Sequence, residues 1–408
     1  MVRTPIALLL ALLGTVPAPA ADWPQVLGPN RDGTTPETVE PWTGPLKPLW
    51  TAPVGESHSS PVIAGGRVYA FYEPKGQNAD ALAAFDAASG KLLWEKSYDR
   101  PEFKPLFGNG PRSTPVVGGG KVFTLGGTGI LACWDARTGD RLWKVDTLAE
   151  FKTKNLFFGV STSPILLGPD RLAVMVGGRG AGIVAFDTAT GKTAWQATDD
   201  PASYSSPVLA NNRLIVLTGA HLLGLSRNGE KLWAVPFRDK LNESSTTPVV
   251  AGDIVIGSSV TAGAVAVRIG EKDGRYTPEP LWKNEKLSCY FSTPVVVGEH
   301  LYMVNSTGQL LKPTIVLRCV ELKTGKVLWE KPLTARYHAA ALRCGPAGKE
   351  RLLLLDDNGN LALLEPNPTG YKELAKTRVC GETWAHPALV DGKLYLRDDK
   401  NLICLPLN

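Results

Sequence analysis

Methionine is scarce in this 408-residue chain, with three, and neither sign of charge dominates it. Lysine and arginine number 44 against 39 acidic residues, a formal balance of +5. That margin is too small to draw a nucleic acid or to hold a polybasic membrane contact. No Gly-x-Ser-x-Gly, His-Glu-x-x-His or Cys-x-x-Cys occurs, so hydrolase, zinc-protease and dithiol chemistry have no motif support. Apolar runs are short: Ile6 to Val16 is about 11 residues, against the roughly 20 that a spanning helix needs. What the chain has instead is 42 glycines and 32 prolines, which favour many short strands and turns over long helices.

That one apolar run follows Arg3 and precedes Ala18-Pro19-Ala20, a small-x-small sequence suited to signal-peptidase cleavage. We expect a cleavable leader over residues 1–20, export to the periplasm or medium, and no lipid anchor, since no cysteine follows the leader. Six cysteines are spread widely over a chain large enough to form its core without a disulfide framework. Cys133, Cys319 and Cys404 fall where other repeats carry Ala84 or Ala185, so they are expected as buried thiols in a small slot. Cys344 with Cys380 is the one pairing left open.

Internal repetition governs everything else. Ser/Thr-x-Pro recurs in a proline column that reads Pro61, Pro115, Pro164, Pro207, Pro248, Pro294 and, after Ala385-His386, Pro387, with Ala340 in the remaining slot. Consecutive units lie 41 to 54 residues apart, the length of one four-stranded propeller blade. A second column reads Trp50, Trp94, Trp143, Trp195, Trp233, Trp282 and Trp329, closed by Leu374. Ahead of it sits a tight turn, as in Phe186-Asp187-Thr188-Ala189-Thr190-Gly191-Lys192. Asp accepts backbone N–H bonds within such a turn, and Gly takes the positive φ that a side chain resists. Proline lacks a donor and suits an edge strand, which places Ser-x-Pro innermost and tryptophan outermost. Counting units predicts an all-β, eight-bladed propeller over residues 46–408, with a short entry arm at 21–45. The segment at Lys47 to Trp50 should complete the last blade and remove its open edge. Trp23 and Trp42 of the arm are expected against the propeller flank.

These columns resemble the pyrroloquinoline-quinone-type (PQQ-like) propeller repeat, over nearly all of Leu46 to Leu407. The leading Asp22-Trp23-Pro24-Gln25-Val26-Leu27-Gly28-Pro29-Asn30-Arg31-Asp32-Gly33 is similar to the entry segment of exported members of unassigned role. The resemblance extends to quinoprotein alcohol dehydrogenases and to the propeller lipoprotein of the outer-membrane β-barrel assembly machinery. The dehydrogenases stack their quinone between a tryptophan and a ring made by adjacent cysteines, and ligate calcium through Glu, Asn and Asp near a catalytic Asp. No Cys-Cys pair exists here, and no motif match carries over the calcium ligands.

Because all innermost strands run the same way, the residues before each Ser-x-Pro converge on one mouth of the channel. These are His58, Arg112, Phe158, Tyr204, Glu243, Tyr290, Tyr337, His338, Glu382, Trp384 and His386. Stacking surfaces beside a few convergent polar groups suit a small ligand or a peptide. The structural alternative is that they only hold ordered water or cap the core. Gly177 to Gly182 lies between strands and so is no phosphate cradle, and Asp356 to Asn360 reads as a hairpin turn. The expectation is therefore a monomeric, non-catalytic binding or scaffolding propeller for an unknown protein or small ligand, with neither catalytic residues nor a bound metal. A PQQ- and calcium-dependent oxidoreductase and an envelope assembly partner are the alternatives.

Overall fold

Eight four-stranded sheets stand around one axis in a computed structural model, which describes residues 22–306 and 313–407. The expected leader lies outside the described residues. Blades one to seven are built from consecutive strands, beginning with Val62–Ala64, Arg67–Tyr72, Ala79–Asp86 and Leu92–Asp99. The eighth takes Ala388–Val390, Lys393–Arg397 and Asn401–Pro406 from the C-terminus and Trp50–Pro53 from the N-terminus. Trp50 pairs with Cys404 and Pro53 with Asn401, antiparallel, so the chain ends close the ring as the repeat count requires.

Each column proline directly precedes the innermost strand of its blade, at Pro61, Pro115 and Pro164 for example. Each column tryptophan lies on an outermost strand and, Trp233 apart, docks into the turn of the following blade, which is Asp-x-x-Thr-Gly for Trp94 and Trp143 and a variant of it elsewhere. Trp50 Nε1 donates to Ala87 O at 3.1 Å and Trp143 Nε1 to Thr188 O at 3.1 Å. Trp282 Nε1 donates likewise to Leu322 O at 2.9 Å. The turn's aspartate receives two backbone N–H bonds, as when Ala189 N and Thr190 N reach Asp187 at 3.1 and 2.8 Å. Its glycine then lies flat under the neighbour's indole. Trp233 is the exception, because the next blade carries a hairpin of two ten-residue strands instead of this turn; its Nε1 has no partner, and neither has that of Trp94, whose ring still covers Gly139.

The small slot is explained by the same contact. Ala84, Cys133, Ala185, Cys319 and Cys404 are the cross-strand neighbours of Trp94, Trp143, Trp195, Trp329 and Trp50. The three cysteines are fully buried, and burial pushes the Cys133 thiol up to about 12. All six cysteines are free, so Cys344 and Cys380 do not pair.

The entry arm departs from expectation. Trp23 is 2% exposed and sits in the channel, bridged to Ile63 on the innermost strand of blade one. Pro24 O accepts from Val117 N of blade two at 2.8 Å. The chain turns at Leu27 to Arg31 and leaves along blade seven, where Thr34 and Thr35 pair in parallel with Arg343 and Cys344. Arg31, 1% exposed, anchors this plug by donating to Ser163 O, Pro164 O and Pro207 O of blades three and four. The channel offers these backbone edges to any short segment that can match them, whereas the flank has its edges already paired.

Docking of tryptophan onto glycine gives a paired test. An ideal Cβ on Gly191, at φ +71°, would lie 2.7 Å from the Trp143 ring, whereas one on Gly66, at φ +73°, would meet nothing within 4 Å. Gly191→Ala should cost about 2–4 kcal/mol through strain plus crowding, and Gly66→Ala about 1 kcal/mol through strain alone. Urea midpoints check this; equal losses would disprove tight docking.

Candidate functional site

The residue immediately before each column proline faces the axis, and in six blades it is a hydroxyl: Ser60, Thr114, Ser163, Ser206, Thr247 and Thr293. Their spacing around the channel builds a relay. Ser60 N donates to Thr114 Oγ1 at 3.1 Å, Thr114 N to Ser163 Oγ at 3.0 Å, and Ser163 N to Ser206 Oγ at 3.0 Å. Thr247 N reaches Thr293 Oγ1 at 3.1 Å, and His386 N reaches Ser60 Oγ at 3.0 Å across the chain closure. Proline supplies no N–H, so the preceding residue's donor is the one that must be satisfied at the axis. Blades seven and eight break the pattern with Ala339 and His386.

This girdle surrounds a chamber of about 140 Å³. Val26 and Leu27 at the tip of the plug are its floor. Its roof is aromatic, centred on Trp384, with Phe291 stacked at 5.1 Å and Phe107 and Tyr337 each at 5.4 Å. Phe158 joins through Phe107 at 6.2 Å and Tyr204 at 5.7 Å.

Polar groups are fixed at the rim. His58 Nε2 lies 2.6 Å from Phe107 O, and because a carbonyl only accepts, that nitrogen carries the hydrogen. Burial, then the nearby Arg112 charge, lowers the His58 pKa to about 4. Burial does the same to His386, also to about 4. The surface these imidazoles retain faces the chamber. Arg112 binds backbone carbonyls only, Leu106 O at 2.8 Å and Gly108 O at 3.2 Å among them, and desolvation lowers its pKa to about 10. Tyr290 donates its hydroxyl to Glu243, whose pKa burial raises. Behind the rim, buried Asp239 accepts from Glu243 N at 3.1 Å, and Asp357 from Tyr337 N at 2.7 Å.

Of the residues expected at the mouth, His58, Arg112, Phe158, Tyr204, Glu243, Tyr290, Trp384 and His386 line the chamber. Tyr337 touches the roof from outside. His338 is buried behind it, with its ring 5.2 Å from that of His386. Glu382 is exposed and turns away beside Asn358, Asn360 and Arg378. The sequence left out Phe107, Phe291, the plug tip and the hydroxyl girdle. The girdle's signal was in view all along, because Ser or Thr stands before the proline in six repeats.

The closed ring, tryptophan docking and axial chamber define a propeller of PQQ-like repeats. Residues 77–313 match the family model described as outer membrane protein assembly factor BamB, and the chain belongs to that family. BamB of Burkholderia pseudomallei is 27% identical over 270 residues, covering 59% of this chain and 63% of that relative. The chain thus spans somewhat under two thirds of that relative's length. Two solved structures share the fold, each at 14% identity. BamB from Moraxella catarrhalis has a TM-score of 0.61, covering 89% of this chain and 98% of that one. Quinohemoprotein alcohol dehydrogenase ADHIIG from Pseudomonas putida has a TM-score of 0.69, covering 95% and 80%.

The depressed histidines set a pH dependence. Between about 6.5 and about 4 the unfolded chain holds protons on His58 and His386 that the folded chain does not, so stability falls as pH falls through that window. His386→Gln should flatten the slope of unfolding free energy against pH by up to about 1.4 kcal/mol per unit. Urea titrations between pH 4 and 7 measure it, and an unchanged slope would show that His386 titrates normally.

Proposed function

We propose that this protein is a non-catalytic scaffold of the bacterial envelope that docks a protein partner in outer-membrane assembly. The observation that carries the reading is the apolar rim on the mouth face. Leu106 and Phe157 are 60% and 69% exposed there, beside exposed Phe107 and Leu241. Leu49, Leu92, Leu93 and Leu142 are exposed on or beside outermost strands, whereas the rim four gather around the mouth, and a cluster of that kind marks a surface that meets another protein. Family membership points the same way, since the matching model is named for an outer membrane assembly factor. No helix among the described residues is long and apolar enough to cross a membrane. With the expected leader, that accords with a periplasmic protein.

The oxidoreductase alternative finds less support. The chamber does not fit pyrroloquinoline quinone: about 140 Å³ matches the cavity of about 150 Å³ that holds a benzene, not three fused rings bearing three carboxylates. Trp384, against which a flat ring would stack, already has Phe291 and His58 each at 5.1 Å.

Crosslinking in cells followed by purification should recover the protein with a membrane β-barrel assembly complex. Phe157→Asp with Leu106→Glu should lower that recovery about tenfold or more, as expected for interface anchors. Saturable dye reduction with an alcohol, after reconstitution with the quinone and calcium, would overturn the reading, as would recovery indifferent to the rim.

A further inference from the structure

The chamber is rich in hydrogen-bond donors and poor in acceptors. Five girdle hydroxyls, on Ser60, Thr114, Ser163, Ser206 and Thr293, accept a backbone N–H through their oxygens. Each therefore still has a hydrogen to give, and no protein oxygen takes it among the described residues. Arg112 adds a full positive charge to the same wall. No carboxylate lies within ion-pair distance of it among the described residues, and its partners are carbonyl oxygens at 2.8 to 3.4 Å. A guanidinium in a desolvated wall, bonded to dipoles alone and with the Glu56 charge nearby but unpaired, is an incomplete charge-assisted site. His386 Nδ1, buried in that wall, has no partner either.

The one carboxylate facing the chamber does not complete the site. Glu243 is engaged by the Tyr290 hydroxyl, burial holds its proton affinity up, and it does not pair with Arg112. Above and below the polar girdle the surfaces are apolar, Trp384 and Phe291 on one side and Val26 and Leu27 on the other. One cation between two apolar plates compensates a single negative charge, and leaves a dianion such as phosphate short of partners.

We propose that the chamber binds a small organic carboxylate, its head on Arg112 and the girdle hydroxyls and its flat apolar body between the plug tip and the aromatic roof. The volume sets the size of the body near one aromatic ring. Two sources share this chemistry: a free aromatic acid, or the terminal carboxylate of a peptide whose last side chain is apolar. The inference rests on the chamber alone and is independent of the partner reading.

Titration calorimetry of the whole protein tests it with matched probes. Benzoate should bind and benzamide, of the same shape without the charge, should bind at least about tenfold more weakly. Arg112→Gln should remove the preference for the acid. Because Arg112 also ties down the 106–110 loop, the acid-to-amide comparison on the unmodified protein is the deciding measurement. A short peptide ending in phenylalanine, as free acid and as amide, separates the sources: binding of its free acid assigns a chain terminus, and binding of benzoate alone assigns a free acid. Equal binding of benzoate and benzamide, or no heat from either acid at millimolar concentration, overturns the proposal.

Discussion

Closure is the constraint on which everything else depends. A ring of sheets has no partner for its first and last edges unless the chain ends meet, and here Trp50–Pro53 zips onto Asn401–Pro406. Once the ring is closed, each tryptophan has a following blade to enter, and every inner strand points at a common axis. One link of the girdle comes from that event, since the His386 to Ser60 bond crosses the seam. A mouth that collects side chains from all blades is a product of the closed circle and not of any blade alone.

The repeat made the fold legible because its residues are held by rules that act locally. Asp187, Thr190 and Gly191 are needed by a turn geometry, Pro164 by an edge without donors, and Trp143 by the turn beside it. These positions recur, so their spacing exposes blade number and strand order directly. The plug was not legible for the opposite reason. Arg31 is held by backbone carbonyls of Ser163, Pro164 and Pro207, and carbonyls are present at every position of any sequence. Nothing in the composition of Asp22 to Gly33 distinguishes a segment that enters the channel from one that lies on the flank.

The site falls between these cases. Eight of the eleven mouth residues line the chamber because convergence on the axis follows from strand direction alone. Glu382 misses because loops between blades curve by an amount the repeat does not specify, and Phe107 comes from the long connection at 100–112 that has no counterpart in other units. Ala339 and His386 are where the repeat gives up its hydroxyl, and there the buried His338 packs its ring 5.2 Å from that of His386. Departure from the pattern, more than the pattern, marks the side of the channel with its own chemistry.

The inserted N-terminal plug has a consequence for how the molecule is made. It is synthesised before the blades, yet its lodgings lie on blades one, two, three, four and seven, and Glu37 caps the Asp391 and Gly392 turn of blade eight. Those contacts span most of the sequence, so their loop-closure entropy is met late. That segment must wait, unlodged, for the last blade, and throughout that interval both the core and the final edge stay open to chaperones, to proteases and to other copies of the same chain.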